Sequence, residues 1–250
     1  MPLRDEQFLD ELRFDPQAVL SQIASATEAL LSSAERLGDA QMREPSLLPG
    51  WSRGHLLTHV ARNADGGGRL LNWARTGVEQ AEYPSMRARA AEIEAGSGRA
   101  AADLVADVRD SAARFAIEYA MMPAQAWHRV VRWTGGQERP AARAADSRLT
   151  EVLVHHVDLR VGYAPADWPP GFVSQMLSRV AGSFSLRDNI TAMRCYAADT
   201  DTWYEVKESK DARVILGEQA SLLAWLMGRS DGADLRPQEG TALPALPPLY

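Results

Sequence analysis

Residues 151–159 (EVLVHHVDL) constrain the fold most, because they place polar side chains inside an almost continuous apolar run. On an α-helix, with about 100° between neighbours, Glu151, His155 and Asp158 share one narrow strip, while His156 points to another face. A helix that is apolar nearly all round is typical of a buried one. Burying an unpaired charge costs several kcal/mol, and a divalent metal would offset that cost. The segment therefore predicts a buried helix that carries half of a metal site.

Composition limits the class of protein and its partners. The chain has 250 residues, of which 46% are hydrophobic, enough for one large domain or for a main domain with a small companion. A net charge of -6, without a long cationic run, argues against nucleic acid or a membrane as the main partner. No apolar run approaches the roughly 18 residues of a membrane span, and the first residues lack the apolar segment of a signal peptide. We expect a cytoplasmic protein.

Apolar periodicity predicts four long helices in the first part of the chain. They cover residues 16–37, 52–75, 101–121 and 140–161, and their connections of mixed length are typical of a helical bundle. Three glycines, 66–68, interrupt the second helix and weaken it by about 2–3 kcal/mol relative to alanine. They indicate either a kink or a close approach of another part of the backbone.

The composition changes after Gly162, where prolines mark a linker. Beyond it the pattern alternates between helix and short strands, as in a small α+β module. The expected elements are a helix over 172–184, strands over 194–198, 203–206 and 213–216, and a helix over 218–227. The predicted fold class is therefore mainly α, with a four-helix bundle over residues 1–165 and an α+β domain over 166–250.

A metal site on residues 151–155 needs a third ligand from elsewhere. His55 and His59 lie one turn apart on the second helix and are themselves a possible pair of ligands. His59 lies nearer the apolar stripe, whereas His55 turns away close to the helix start, so His59 is the better inward-facing ligand. Two imidazoles and one carboxylate suit zinc, and three protein ligands leave the open position of a catalytic site. The alternative is a buried Glu–His hydrogen bond with His59 as an ordinary core histidine, and spacing alone leaves both open.

The remaining polar candidates are expected to have roles other than direct metal binding or catalysis. Asp158 either orients the His155 imidazole or forms a salt bridge with an arginine. His156 is expected to be structural, and His128 to lie on the surface. Cys195, the single cysteine, is expected to be a buried, inert thiol in a strand rather than a nucleophile.

Four segments carry a resemblance to a known family. They are LLPGWSRGHLLTHV (47–60), NWARTG (72–77), EVLVHHVDL (151–159) and GRSDG (228–232). On these segments, and over nearly its whole length, the chain resembles the mycothiol-dependent maleylpyruvate isomerases of the wider DinB-like family of metal-binding helical bundles. The resemblance implies a DinB-like bundle with zinc held by His59, Glu151 and His155. It also implies mycothiol as the thiol cofactor and a catalytic role for Arg229. The alternative for Arg229 is a cation at a helix C-terminus.

The function implied by the resemblance is an isomerisation in aromatic catabolism. A zinc-bound thiolate adds to the cis double bond of maleylpyruvate, and rotation and loss of the thiol give fumarylpyruvate. Arg229 binds a substrate carboxylate or stabilises the enolate. The implied partners are a small-molecule substrate and a thiol, and we expect a monomer.

Two other functions remain open from the sequence. The first is a mycothiol-dependent S-transferase that acts on another electrophile with the same metal site. The second is a non-catalytic, zinc-binding regulatory protein. Zinc anti-sigma modules use a cluster of cysteines, which Cys195 alone cannot provide.

Overall fold

A computed structural model describes residues 14–238 and 242–247. The chain divides into two compact units, Met1–Val161 and Gly162–Tyr250. The division falls at Gly162, which has a positive φ of 94° and ends the segment that follows the last bundle helix. Within the described residues, no helix is both long and apolar enough to cross a membrane.

The first unit is a bundle built around four long helices, as the periodicity predicts. Its helices are α1 (Pro16–Ala34), α2 (Asp39–Met42), α3 (Arg53–Thr76), α4 (Met86–Gly96), α5 (Ala101–Ala120) and α6 (Ala142–Asp158). Helix α3 packs against both α5 and α6, and α1 packs mainly against α6. Leucines and valines from these helices, such as Leu30, Leu57, Leu104 and Val152, form the buried core.

Local sequence signals set the helix ends. Asp15 caps α1 by accepting hydrogen bonds from the backbone of Gln17 and Ala18, and Pro16 begins the helix. Ser52 caps α3 in the same way through the backbone N–H of His55. Helix α6 ends earlier than predicted, at Asp158, and Arg160 follows with a positive φ of 57°.

Arg53, at the start of α3, ties this helix to the end of α6. Its Nε donates to the carbonyl oxygen of Leu159 at 2.7 Å, and its Nη2 donates to that of Arg160 at 3.3 Å. Its Nη1 also forms an ion pair with Glu44 at 2.6 Å. These bonds satisfy carbonyl groups that a helix end leaves without intrahelical partners.

The three glycines do not interrupt α3, so the expectation of a break is wrong. The helix runs continuously through them, and side-chain rings, not a second backbone segment as expected, approach Gly66 and Gly67 closely. A Cβ atom on Gly66 would lie 3.1 Å from the Tyr83 ring, and one on Gly67 would lie 2.9 Å from the Phe115 ring. Glycine is needed here for packing space.

A two-stranded hairpin precedes α6. Strands β1 (Val130–Arg132) and β2 (Glu138–Pro140) pair antiparallel, after a 3₁₀ turn at Ala124–His128. His128 at the end of that turn is exposed, as predicted.

The second unit is an α+β module, which confirms the predicted fold class. Its elements are α7 (Pro170–Ser185), β3 (Met193–Ala197), β4 (Thr202–Lys207), β5 (Arg213–Gly217), α8 (Gln219–Leu226) and β6 (Arg236–Pro237). The sheet order is β4-β3-β5-β6, and β3 and β5 run parallel. Cys195 lies in β3, fully buried, and burial raises the pKa of its thiol to about 12. An inert thiol fits this environment.

Candidate metal centre

Two helices of the bundle bring the three predicted ligands together. His59 comes from the second turn of α3, and Glu151 and His155 lie one turn apart on α6. Both histidines are buried, and Glu151 is half-buried. One donor atom from each residue lies within 4.8 Å of the other two, and no second such cluster occurs in residues 14–238 and 242–247.

The donor atoms converge on a common point. Glu151 Oε2 lies 2.8 Å from His59 Nε2 and 3.2 Å from His155 Nε2, and the two Nε2 atoms are 3.0 Å apart. Ligands of a tetrahedral zinc at about 2.0–2.1 Å lie about 3.3 Å from one another. Glu151 Oε2 is also buried without a hydrogen-bond partner, although both imidazoles are close. The donor set therefore fits a divalent cation better than it fits a simple Glu–His hydrogen bond.

Asp158 fixes the orientation of His155. Its Oδ2 lies 2.8 Å from His155 Nδ1, and its side chain is fully buried. An ionised carboxylate only accepts hydrogen bonds, so Nδ1 carries a proton. When the ring is neutral, its Nε2 lone pair therefore faces the cluster. Of the two sequence interpretations of Asp158, the structure contains the orienting contact.

Burial and neighbouring charges shift the pKa values of all three residues of the cluster. Burial alone would raise the pKa of Glu151, but the neighbouring imidazoles outweigh it and hold that pKa well below its usual range. Burial lowers the pKa of His59, against the opposing charge of Glu151. Burial acts in the same direction on His155, but the neighbouring carboxylates of Asp158 and Glu151 outweigh it and raise its pKa to about 9. The carboxylates of Glu151 and Asp158 bring negative charge to the cluster, and the guanidinium of Arg89, 2.8 Å from His59 Nδ1, opposes it.

His55, the other histidine of the pair on α3, is used elsewhere. Its Nδ1 lies 2.7 Å from Ser52 Oγ in the helix cap, and its Nε2 lies 3.2 Å from Glu94. His156 also points away from the cluster, because its Nε2 lies 2.9 Å from Ser33 Oγ on α1. The structure thus separates the histidines as the helix geometry predicts.

Two residues that contact His59 could not be predicted from the sequence. Arg89, on α4, places Nη2 2.8 Å from His59 Nδ1, and Trp51 packs its ring against the imidazole with centroids 5.5 Å apart. A guanidinium only donates, so Nδ1 must accept, and a neutral ring then carries its proton on Nε2. Arg89 therefore favours the tautomer that does not present a lone pair to the cluster. No spacing signal points to Arg89, because the contact depends on how α4 packs on α3.

Arg229 follows α8 in the second unit. Gly228 has a φ of +71°, its N–H donates to Trp225 O at 2.9 Å, and the N–H of Arg229 donates to Ala224 O at 2.8 Å. This is a Schellman motif. Arg229 Nη1 also donates to Met227 O at 2.8 Å, which agrees with a helix-end cation. Its catalytic role stays a prediction.

Fold and cluster together define a helical-bundle protein with a buried histidine–glutamate centre, followed by an α+β unit. The sequence profile of the mycothiol maleylpyruvate isomerase N-terminal domain matches residues 23–160, more than half of the chain. The chain therefore belongs to the mycothiol maleylpyruvate isomerase family.

Solved structures and curated sequences give further comparisons. The crystal structure of a mycothiol-dependent maleylpyruvate isomerase is similar with a TM-score of 0.88 and 26% identity, over 94% of this chain and 98% of that one. A mutant of a mycothiol-dependent maleylpyruvate isomerase gives the same TM-score and coverage at 25% identity. No curated protein sequence matches the chain.

Proposed function

We propose that this protein is a zinc- and mycothiol-dependent cis–trans isomerase that converts maleylpyruvate into fumarylpyruvate. The observation that carries the proposal is the convergence of His59 Nε2, His155 Nε2 and Glu151 Oε2 in a member of this family. Both similar solved structures are mycothiol-dependent maleylpyruvate isomerases. We further propose that the enzyme is cytoplasmic and monomeric.

Zinc is the metal that this donor set suits, since it accepts imidazole nitrogen and carboxylate oxygen in one tetrahedral site. Three protein ligands leave a fourth position for an exogenous group, as in catalytic zinc sites. When bound, the metal lowers the pKa of a coordinated thiol, so that a thiolate is available to add reversibly to the cis double bond.

The chain's own residues hold the centre in place. Asp158 accepts the proton of His155 Nδ1 in a hydrogen bond and directs the Nε2 lone pair toward the common point. Trp51 packs against His59 and restricts rotation of its ring. Glu151 supplies the negative charge that neutral imidazoles lack, which a divalent cation requires.

We assign to Arg229 the binding of a substrate carboxylate. Maleylpyruvate carries two carboxylates, and a chain with a net charge of -6 needs a local cation to bind it. The planar guanidinium suits a carboxylate because it donates two parallel hydrogen bonds.

Metal analysis tests the ligand assignment directly. We expect stoichiometric zinc in the purified protein and its loss in His59→Ala and in Glu151→Ala. His55→Ala is the matched control, because it removes a histidine from the same helix one turn earlier and should keep the metal. Retention of stoichiometric zinc by both ligand variants would rule out the site.

Measurement of the total thiol concentration during turnover tests the proposed reaction. The zinc-loaded protein with mycothiol should convert maleylpyruvate while the total thiol stays constant, because the thiol is released after each turnover. Stoichiometric consumption of thiol would instead identify an S-transferase, and it would contradict the isomerase while leaving the metal site intact.

A further inference from the structure

Arg89 is a cation beside the candidate metal centre that has no carboxylate partner. It lies on α4, and its Nη2 is 2.8 Å from His59 Nδ1. Within the part of the chain that the structure describes, no aspartate or glutamate forms an ion pair with it. Arginines on α3 and α5 do have such partners: Arg62 with Asp107, Arg75 with Glu118, and Arg114 with Asp65. Arg89 is half-buried, so part of its side chain remains accessible to a ligand.

The Tyr83 side chain holds the guanidinium of Arg89 in place. Arg89 Cζ lies 5.6 Å from the centroid of the Tyr83 ring, a favourable position for a cation on an aromatic ring. Tyr83 is 4% exposed, and its hydroxyl is hydrogen-bonded to Arg89. The ring fits there because Gly66 has no Cβ, which would lie 3.1 Å from it. The cation is therefore positioned by packing, although no carboxylate pairs with it.

The two histidines of the centre have opposite partners at Nδ1. A neutral imidazole that binds a metal through Nε2 carries its proton on Nδ1, and that N–H is normally donated to a carboxylate, a carbonyl or water. His155 has the Asp158 carboxylate at 2.8 Å for this purpose, whereas His59 has the guanidinium of Arg89, which can only donate. Glu151 meets His59 at the other ring nitrogen, Nε2. With Nε2 on a metal, His59 and Arg89 are two adjacent donors that lack a common acceptor.

We propose that Arg89, together with the Nδ1–H of His59, binds a carboxylate of the substrate and so determines the specificity of the centre for acidic substrates. The carboxylate accepts from both donors and supplies the negative charge that Arg89 lacks. It takes at His59 the place that Asp158 has at His155. The inference rests on the proposed function, because it concerns the binding of that substrate. Maleylpyruvate has a second carboxylate, so the role proposed for Arg229 is unchanged.

Calorimetric titration of the full-length, zinc-loaded protein with maleate tests the proposal. We expect saturable binding of maleate, and binding at least about tenfold weaker in Arg89→Met, because a charge-assisted hydrogen bond is lost. Arg87→Met, which removes an exposed arginine from the same helix, should leave the affinity within about twofold. Metal analysis of each preparation should give the same zinc content. Equal affinity in Arg89→Met and the wild type, or no saturable binding of millimolar maleate by the wild type, would overturn the proposal.

Steady-state kinetics with maleylpyruvate provide the second test. Arg89→Met should raise KM at least about tenfold and change kcat less, since the contact is made in the bound substrate as well as in the transition state. Arg89→Lys keeps the charge and should recover part of the loss in KM. An unchanged KM in Arg89→Met would overturn the proposal. If the wild type did not isomerise maleylpyruvate, the proposed function would fail, while the maleate titration would still decide whether Arg89 binds a carboxylate.

Discussion

The two units of the chain bury different kinds of polar group. The bundle encloses five histidine, arginine and aspartate side chains that are at most 8% exposed, namely His59, Arg148, His155, His156 and Asp158. In the described part of the second unit, the buried polar side chain is the neutral amide of Gln219, and the thiol of Cys195 is held protonated by burial. Ionisable groups are costly in a core, and their concentration in one region is typical of a functional site. The difference places the candidate metal centre in the bundle, whereas the core of the second unit is largely apolar in its described residues.

Replacement of Arg229 has the largest expected effect. A catalytic role for this residue would place part of the chemistry in the second unit. Replacement of Arg229 by Met should lower kcat/KM about a hundredfold, since a charge-assisted, bidentate contact to the substrate is lost. The zinc content should not change. Steady-state kinetics and metal analysis of the same preparation provide both readouts.

Arg213→Met is the control for that variant, because Arg213 is an exposed arginine of the same unit. If Arg229→Met kept full activity, the residue would be only the helix-end cation that its contacts with Met227 and Ala224 describe.

Asp158→Asn tests whether a buried carboxylate of the bundle supports metal binding through His155. An amide that presents its NH₂ to Nδ1 cannot hold the proton of His155 there, so the metal affinity should fall about 10–100-fold. Competition with a chromogenic chelator measures the change. Asp146→Asn, on the same helix but paired with Arg143, should leave the affinity within about twofold. Equal affinities in the two variants would show that Asp158 only packs against His155.

Arg89→Met should change the metal affinity in the opposite direction to Asp158→Asn. Without the guanidinium at 2.8 Å, His59 Nδ1 is free to carry the proton, and Nε2 then presents its lone pair. We expect the metal affinity to rise several-fold, to about tenfold. Arg87→Met, the exposed neighbour on α4, should not change the affinity. A fall in affinity for Arg89→Met would indicate that Arg89 supports the ligand instead of competing for it.

The smallest expected effect concerns Cys195, whose thiol should not react in the native protein. Because its pKa is raised to about 12, the thiol stays protonated at pH 8 and its thiolate is scarce; the site is also closed to reagents. A colorimetric disulfide reagent should label no thiol in the native protein and one thiol per chain after denaturation. Labelling of the native protein at the denatured rate would mean that the second unit opens in solution.

Helix spacing and helix caps account for the part of the centre that could be predicted from sequence. Positions 151, 155 and 158 share a strip on any α-helix, and the Ser52 cap sets where α3 begins and so which face His59 occupies. These relations are local, and they need no knowledge of the partner helix beyond the fact that it packs nearby.

Contacts that depend on tertiary packing could not be predicted. Arg89 reaches His59 only because α4 packs on α3, and Arg148 is one arginine among many in the sequence. The three glycines of α3 show the same limit, since their spacing is equally compatible with a kink and with the close approach of Tyr83 and Phe115. Only the positions of the neighbouring rings decide between the two.

The hydrogen bonds from Arg53 to Leu159 and Arg160 have a consequence for how metal enters and leaves. They clamp the first turn of α3 to the end of α6, so the register between His59 and His155 is set by protein contacts alone. The apoprotein should therefore remain folded and preorganised, and metal exchange should be a reversible loading step instead of a folding transition.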